Sequence, residues 1–251
     1  MAQKRGDSGW LKGTIDLVVI VLIVMAAKTA VAEPFYVPSA SMEPTLLIGD
    51  ELLATKFAYG YGTASLPSFI SLPQSPHVLA TLPHRGDVVV FRWPGDTSQI
   101  WVKRVIGLPG DKIALKQGRV SINGVAVGLK SDGMGEVKTG EGSTLPAARY
   151  IETLPDGAAH LIFKLSTSGP LDNVPEITVP AGHVFVMGDN RDDSADSRVP
   201  LGAGGVGLLP VNNLVGRVDA LVGSWDMTMR DQPIWQWPAG LRFARFFTAV
   251  H

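Results

Sequence analysis

The longest unbroken apolar run lies near the start of the chain, Leu17 to Ala27 (LVVIVLIVMAA), 11 residues. A helix needs about 20 residues to cross a bilayer, so the run alone is too short. Widening it to Trp10–Ala32 supplies the length and takes in Lys12, Asp16 and Lys28. Lys12 and Asp16 stand four apart and can pair on a helix, while Lys28 can extend its stem to the far interface. After Glu33-Pro34 the periodicity changes. β-Branched runs bounded by glycine or proline predict strands at 86–91 (GDVVVF), 99–107 (QIWVKRVIG) and 183–188 (HVFVMG). Residues 119–127 (RVSINGVAV) predict a hairpin turning at Asn123-Gly124. The Gly/Pro/Ser-rich stretch 57–84 predicts a long loop or flap. From about 118 to 180 a second β-rich unit reads as inserted between two pieces of a first. There is no internal repeat and no low-complexity tract. The C-terminal stretch PIWQWPAGLRFARFFTAVH sets Trp235, Trp237, Phe243, Phe246 and Phe247 beside Arg242 and Arg245. That mixture suits a membrane interface, and suits equally an aromatic element packed on the core.

Charge decides how the apolar run is oriented. Lys4, Arg5 and Lys12 precede it, so the positive-inside rule puts the N-terminus in the cytoplasm and the remainder outside. The same layout, followed by TAVAE with Ala30-Val31-Ala32 as an A-x-A site, also describes a cleavable secretory signal. Composition does not choose between anchor and signal, and both export the rest. A chain of 251 residues can bury a sizeable core, as one large or two modest domains. With 28 glycines, 18 prolines and only 18% charged residues, it suits a turn-rich β fold and argues against disorder. The net charge of -1 offers nucleic acid no basic face. The absence of cysteine excludes disulfides, thiol chemistry and zinc–thiolate sites.

Candidate chemistry starts with what is missing. His77, His84, His160, His183 and His251 are scattered, with no H-E-x-x-H pattern and no G-x-S-x-G elbow. GDNRDDSADSR (188–198) fails as a calcium loop, since no register combines a glycine at position six with a glutamate at twelve. Lysine can replace histidine as a base when burial destabilises its ammonium, whose ordinary pKa is about 10.4. In IWVKRVIG the strand alternation puts Lys103 on the face of Trp101 and Val105, with Arg104 opposite. On this stretch alone, an edge-strand lysine that deters aggregation is the simpler reading. PSASMEPTL (38–46) supplies two serines, Ser39 and Ser41, around one alanine.

Taken together, PSASMEPTL (38–46), GDVVVF followed by VKRVIGLPGD (102–111), and GDNRDDSADSR (188–198) resemble, in order, the motif boxes of the bacterial type I signal peptidases, membrane-bound serine–lysine proteases. LLIGDELLATKFAYG (46–60) is similar to the stretch after that family's serine box. The resemblance implies Ser41 as nucleophile and Lys103 as general base. It implies Ser39 in the oxyanion hole, Ser194 orienting the lysine, and ion pairs Asp189–Arg104 and Asp196–Arg198. Phe35, Val37, Pro38, Met42, Leu52, Val90, Trp101 and Val102 match the walls of shallow pockets for an extended peptide with Ala-x-Ala before the cut. No metal and no cofactor is implied.

The expected architecture is mainly β, a signal-peptidase-like β-sheet catalytic domain with an inserted second β-rich unit, preceded by an N-terminal transmembrane helix. Its divisions are a cytoplasmic tail (1–9), an anchor (10–32), a first catalytic segment (33–117), the inserted unit (118–180), a second catalytic segment (181–225) and an aromatic, basic C-terminal segment (226–251). The resemblance favours the anchor over the cleavable signal, and one span where some members have two. Expected partners are the signal peptides of preproteins and the lipid bilayer, with no nucleic acid and a monomeric enzyme. The expected location is the bacterial cytoplasmic membrane, N-terminus inside and catalytic domain outside. An inactive tethered binding module is the competing class, disfavoured because Ser41, Lys103 and Ser194 are all present.

Overall fold

The computed structural model describes residues 7–67, 70, 72–138, 144–166 and 168–250. Lys4, Arg5 and His251 lie outside the described residues, as does the side chain of Lys28. The first element is α1 (Asp7–Ala30), 24 residues. Along it Leu17, Val18, Val19, Ile20 and Val21 are all exposed. Among the described residues, no helix is long and apolar enough to cross a membrane.

The rest of the chain is mainly β. Its strands are β1 (Ala32–Tyr36), β2 (Asp50–Thr55), β3 (Val88–Arg92), β4 (Ile100–Gly107), β5 (Lys112–Lys116), β6 (Arg119–Ile122) and β7 (Val125–Ala126). They continue with β8 (Gly128–Lys138), β9 (Thr144–Thr153), β10 (Ala159–Lys164), β11 (Val174–Thr178), β12 (His183–Met187), β13 (Leu209–Pro210) and β14 (Leu214–Ser224). A seven-stranded sheet has the order β1-β2-β14-β3-β4-β12-β13, with every neighbour antiparallel. β10-β9-β8 and β11-β5-β6-β7 form two smaller antiparallel sheets.

β3 explains why the large sheet is buried on both faces. Its sequence VVVFR has no polar alternation, and all five residues are buried. Val88 and Val90 pack into one core with Val37, Met42, Leu46, Leu52 and Val218. Val89 and Phe91 point the other way, into a second core with Val105, Val184, Val186 and Leu214. Successive side chains of a strand face opposite ways, so one apolar run feeds two cores.

Two features bear on the expected divisions. β5 lies before the division at 117, yet it pairs with β6 and β11, so the hydrogen-bonded unit begins at Lys112. The 57–84 stretch contains short 3-10 turns at Phe57–Tyr59 and Thr63–Ser65 and a bridge between Tyr61 and Val78. The buried Arg92 guanidinium donates to the carbonyls of Ile70 (2.8 Å), Leu66 (3.2 Å) and Thr97 (3.0 Å). Those bonds tie the stretch to the sheet, because a buried guanidinium has to place its donors somewhere.

Candidate active site

Ser41 sits in a single 3-10 turn, Ala40–Met42, entered through an extended Ser39. Met42 and Leu46, both 0% exposed, stake this turn into the core below the sheet. The pattern S-A-S-M thus runs from groove to core, with Ser39 exposed and Met42 buried. Ser41 is 9% exposed. Its Oγ lies 3.3 Å from Ser39 Oγ.

β4 delivers Lys103 to the same place. Its register against β3 puts Lys103 opposite Val89 and Trp101 opposite Phe91. Lys103 is 4% exposed, and its Nζ lies 2.7 Å from Ser41 Oγ and 3.0 Å from the Val102 carbonyl. The Trp101 ring centroid is 5.7 Å away. Burial lowers the lysine pKa to about 8, against the opposing fields of Asp196, Asp189 and Asp193, and Arg198 adds to the lowering. The cause is the loss of water around the ammonium, which destabilises the charged form.

The 188–198 loop closes the site from the side. Arg104, on the opposite face of β4 from Lys103, makes a two-pronged pair with Asp189 at 2.9 and 2.8 Å. Thr45 also donates to Asp189, which joins the loop to the end of the serine motif. Arg198 makes a second two-pronged pair with Asp196 at 2.9 and 2.8 Å, and the Gly188 N–H donates to Asp196 at 2.9 Å. Burial opposes ionisation of Asp189 and Asp196, and the arginine beside each overrides it, holding both carboxyls below the ordinary range. Ser194 is buried, and its Oγ makes no hydrogen bond among the described residues. Gly188 has no room for a side chain. A Cβ there would lie 2.3 Å from Ser194 Oγ and 2.4 Å from the Ser41 carbonyl oxygen.

Ser39, Ser41 and Lys103 open into a groove of about 570 Å³, lined also by Pro38, Gln99, Ile100, Trp101, Asp193 and Ala195. Of the eight pocket residues expected, Pro38 and Trp101 line it. Val37, Met42, Leu52 and Val90 do not, being at most 1% exposed in the core beneath. All four belong to the core on which the Ser41 turn rests. Phe35 and Val102 pack partly buried against the same core. Sequence reasoning missed Gln99, Ile100, Asp193 and Ala195, although each lies within four residues of a motif residue. No histidine lines the groove among the described residues.

Comparison with known proteins gives the chain a family. Residues 10–225 match the family described as signal peptidase, peptidase S26. A signal peptidase I of Pseudomonas aeruginosa is 37% identical over 222 residues, covering 85% of this chain and 73% of its own. One from Rickettsia typhi is 35% identical over 248 residues, covering 92% and 90%. A solved signal peptidase I from Enterococcus faecalis aligns with 55% of this chain and 97% of its own, at 25% identity and a TM-score of 0.31. The class that the family and the two relatives define is that of the serine endopeptidases. The chain belongs to the signal peptidase family, peptidase S26.

Proposed function

We propose that this protein is a membrane-anchored endopeptidase that removes N-terminal signal peptides from exported preproteins after Ala-x-Ala, through a Ser41 acyl-enzyme with neutral Lys103 as general base. The observation that carries the reading is the 2.7 Å contact between Lys103 Nζ and Ser41 Oγ in a buried setting. With a pKa of about 8, roughly one amine in ten is free of its extra proton at pH 7. That amine accepts the Ser41 proton as Oγ attacks the scissile carbonyl, and the ammonium then hands the proton to the leaving amine. Water, deprotonated by the same lysine, releases the acyl group.

Ser39 Oγ and the Ser41 N–H are assigned to the developing oxyanion, with Ala40 small enough to let both approach one carbonyl. Ser194, buried and with its hydroxyl uncommitted among the described residues, is assigned to orient the amine. The groove suits an extended peptide, and Pro38, Ile100 and Trp101 give it an apolar wall for small side chains. Anchoring by α1 is supported by five consecutive exposed apolar residues, 17–21. At 100° per residue they face every direction around the helix, an arrangement that water does not tolerate and lipid does. At 1.5 Å per residue the whole helix is about 36 Å long, but its described residues are not apolar over a full crossing, so the anchoring rests on this exposed apolar run and on the family resemblance. The substrate and the lipid bilayer are thus the proposed partners, with the catalytic domain on the outer face of the cytoplasmic membrane and the enzyme acting as a monomer.

The test is cleavage of an Ala-x-Ala preprotein by the full chain and by Ser41→Ala. Cleavage after the second alanine, lost in the variant, is the expected result. Undiminished cleavage by Ser41→Ala removes the assignment.

A further inference from the structure

One side of the 188–198 loop faces Ser41, and the other is gripped residue by residue by the inserted strands. The Phe163 N–H donates to the Asp189 carbonyl (2.9 Å) and the Arg191 N–H to the Phe163 carbonyl (3.0 Å), forming a parallel bridge between β10 and the loop. Arg191 directs its guanidinium at Glu152 of β9, with Nη1 3.0 Å from Oε1 and Nη2 bonded to Oε2. Both side chains are 1% exposed, and His160 Nε2 lies 3.3 Å from the same carboxylate. Asp192 accepts from Lys164 Nζ (2.7 Å) and from the N–H groups of Leu165 (2.7 Å) and Ser166 (2.9 Å).

Asn190 stands between these anchored neighbours and faces the other way. Its N–H donates to the Ser41 carbonyl (3.2 Å), and its Nδ2 donates to the Ala40 carbonyl (3.2 Å). The Ala40 and Ser41 carbonyls are thus both contacted by one residue whose two neighbours bond to the insertion, beside the Glu43 N–H that also reaches the Ala40 carbonyl (3.0 Å) and the Gly188 carbonyl that also accepts from Arg191 Nε (3.1 Å). Burial alone does not account for the Glu152–Arg191 pair, because well-packed apolar side chains of similar volume often serve stability as well or better. What such a pair adds is a fixed register between two pieces of chain.

We infer that the inserted unit is a positioning element of the reaction centre, with Glu152 as its positioning residue: Glu152 fixes Arg191, Arg191 fixes the loop, and Asn190 sets the Ala40–Ser41 backbone against Lys103. This rests on the reading of Ser41 as nucleophile. It also gives the insertion a task in the reaction although none of its described residues lines the groove.

Three variants of the full chain test it on an Ala-x-Ala peptide: Glu152→Gln, Glu152→Gln/Arg191→Met, and Ser41→Ala. Misplacement of a reacting group by about 1 Å can cost about a hundred-fold in rate. Glu152→Gln is expected to lower kcat by about ten- to a hundred-fold with KM changed less than about twofold, and to lower the melting temperature. The double variant removes both buried charges, so its melting temperature returns toward that of the parent while kcat stays low. If kcat recovers together with melting temperature, the pair is structural only and the inference fails. It fails also if the loss falls on KM, or if Glu152→Gln melts lower yet keeps its kcat. Should Glu152→Gln not fold, the double variant decides alone. Activity surviving in Ser41→Ala sinks the reading of the site instead, which keeps the two failures apart.

Discussion

Lys103 and Lys56 are both buried lysines, 4% and 0% exposed, and they are solvated by the protein in opposite ways. Lys56 Nζ lies 2.8 Å from Glu33 Oε2 and donates to the Ser65 carbonyl at 2.7 Å. Lys164, a third, is in contact with both Asp172 and Asp192. Lys103 has a hydroxyl and a carbonyl as its close partners, and its carboxylates act only from a distance. Burial by itself does not make a base. The base proposed at Lys103 combines burial with counter-charge held back, since Arg104 and Arg198 pair with Asp189 and Asp196.

The comparison is broken most severely at Lys103 itself. Lys103→Arg keeps the charge and abolishes the base, since guanidinium stays protonated throughout the working range. Single-turnover cleavage should fall on the order of a million-fold, as for Ser41→Ala, with the double variant little worse because the two groups act as a unit. Near-normal rates in Lys103→Arg would end the serine–lysine assignment. A stability effect accompanies it. The folded pKa of about 8 lies below the unfolded one, so the unfolded chain binds more protons between the two values, and stability rises with pH across that window. Below it the buried lysine is a liability of about 3 kcal/mol, and Lys103→Met should melt higher than the parent at pH 7.

Lys56→Met runs the opposite experiment. It strips Glu33 of its buried partner and should cost about 3–5 kcal/mol in denaturant unfolding, while kcat at a temperature where the variant is folded stays near the parent value. A stable variant would mean that the pair contributes little.

Ser194→Asp would make Lys103 resemble Lys56 by giving it a carboxylate neighbour. The amine is then harder to deprotonate, so the acid limb of kcat/KM moves to higher pH. About one unit of displacement corresponds to a tenfold loss at pH 7, recovered in alkali. An unmoved limb would show that Ser194 does not face the amine. The smallest effect belongs to Asp193→Asn. This exposed groove residue raises the Lys103 pKa from a distance, so its removal should move the limb to lower pH by less than about one unit, and by less again in high salt.

How much of this is legible in the sequence depends on how far each contact reaches. The strands around Val88–Phe91 and Ile100–Gly107 are legible because a β-branched run carries its own signal. Ser41, Lys103 and the 188–198 loop are legible as motifs, and the alternation in IWVKRVIG separates Lys103 from Arg104 without any knowledge of the fold. The groove is harder. An apolar residue beside a motif can face the substrate or the core, and nothing local distinguishes the two; Val37 and Met42, expected as pocket walls from the resemblance, pack in the core beneath the groove. Glu152 carries no local signal, and Asn190 is legible only as a letter of the 188–198 motif, with no hint of what it contacts. Their partners lie 39 and 150 positions away, and only the topology brings them together.

The position of β14 bears on how the protein comes into being. It occupies the middle of the large sheet, between β2 and β3, although it is the last strand in the chain among the described residues. A ribosome therefore delivers β1 to β4 with a gap where hydrogen bonds and apolar side chains from Leu214–Ser224 must later enter. Until then β2 and β3 each present an open edge, which invites association with other chains. Contacts of such long sequence separation also form slowly. The nascent chain thus carries Ser41 and Lys103 long before it can unite them, and a copy cut short ahead of residue 214 should be a harmless polypeptide rather than an unregulated protease.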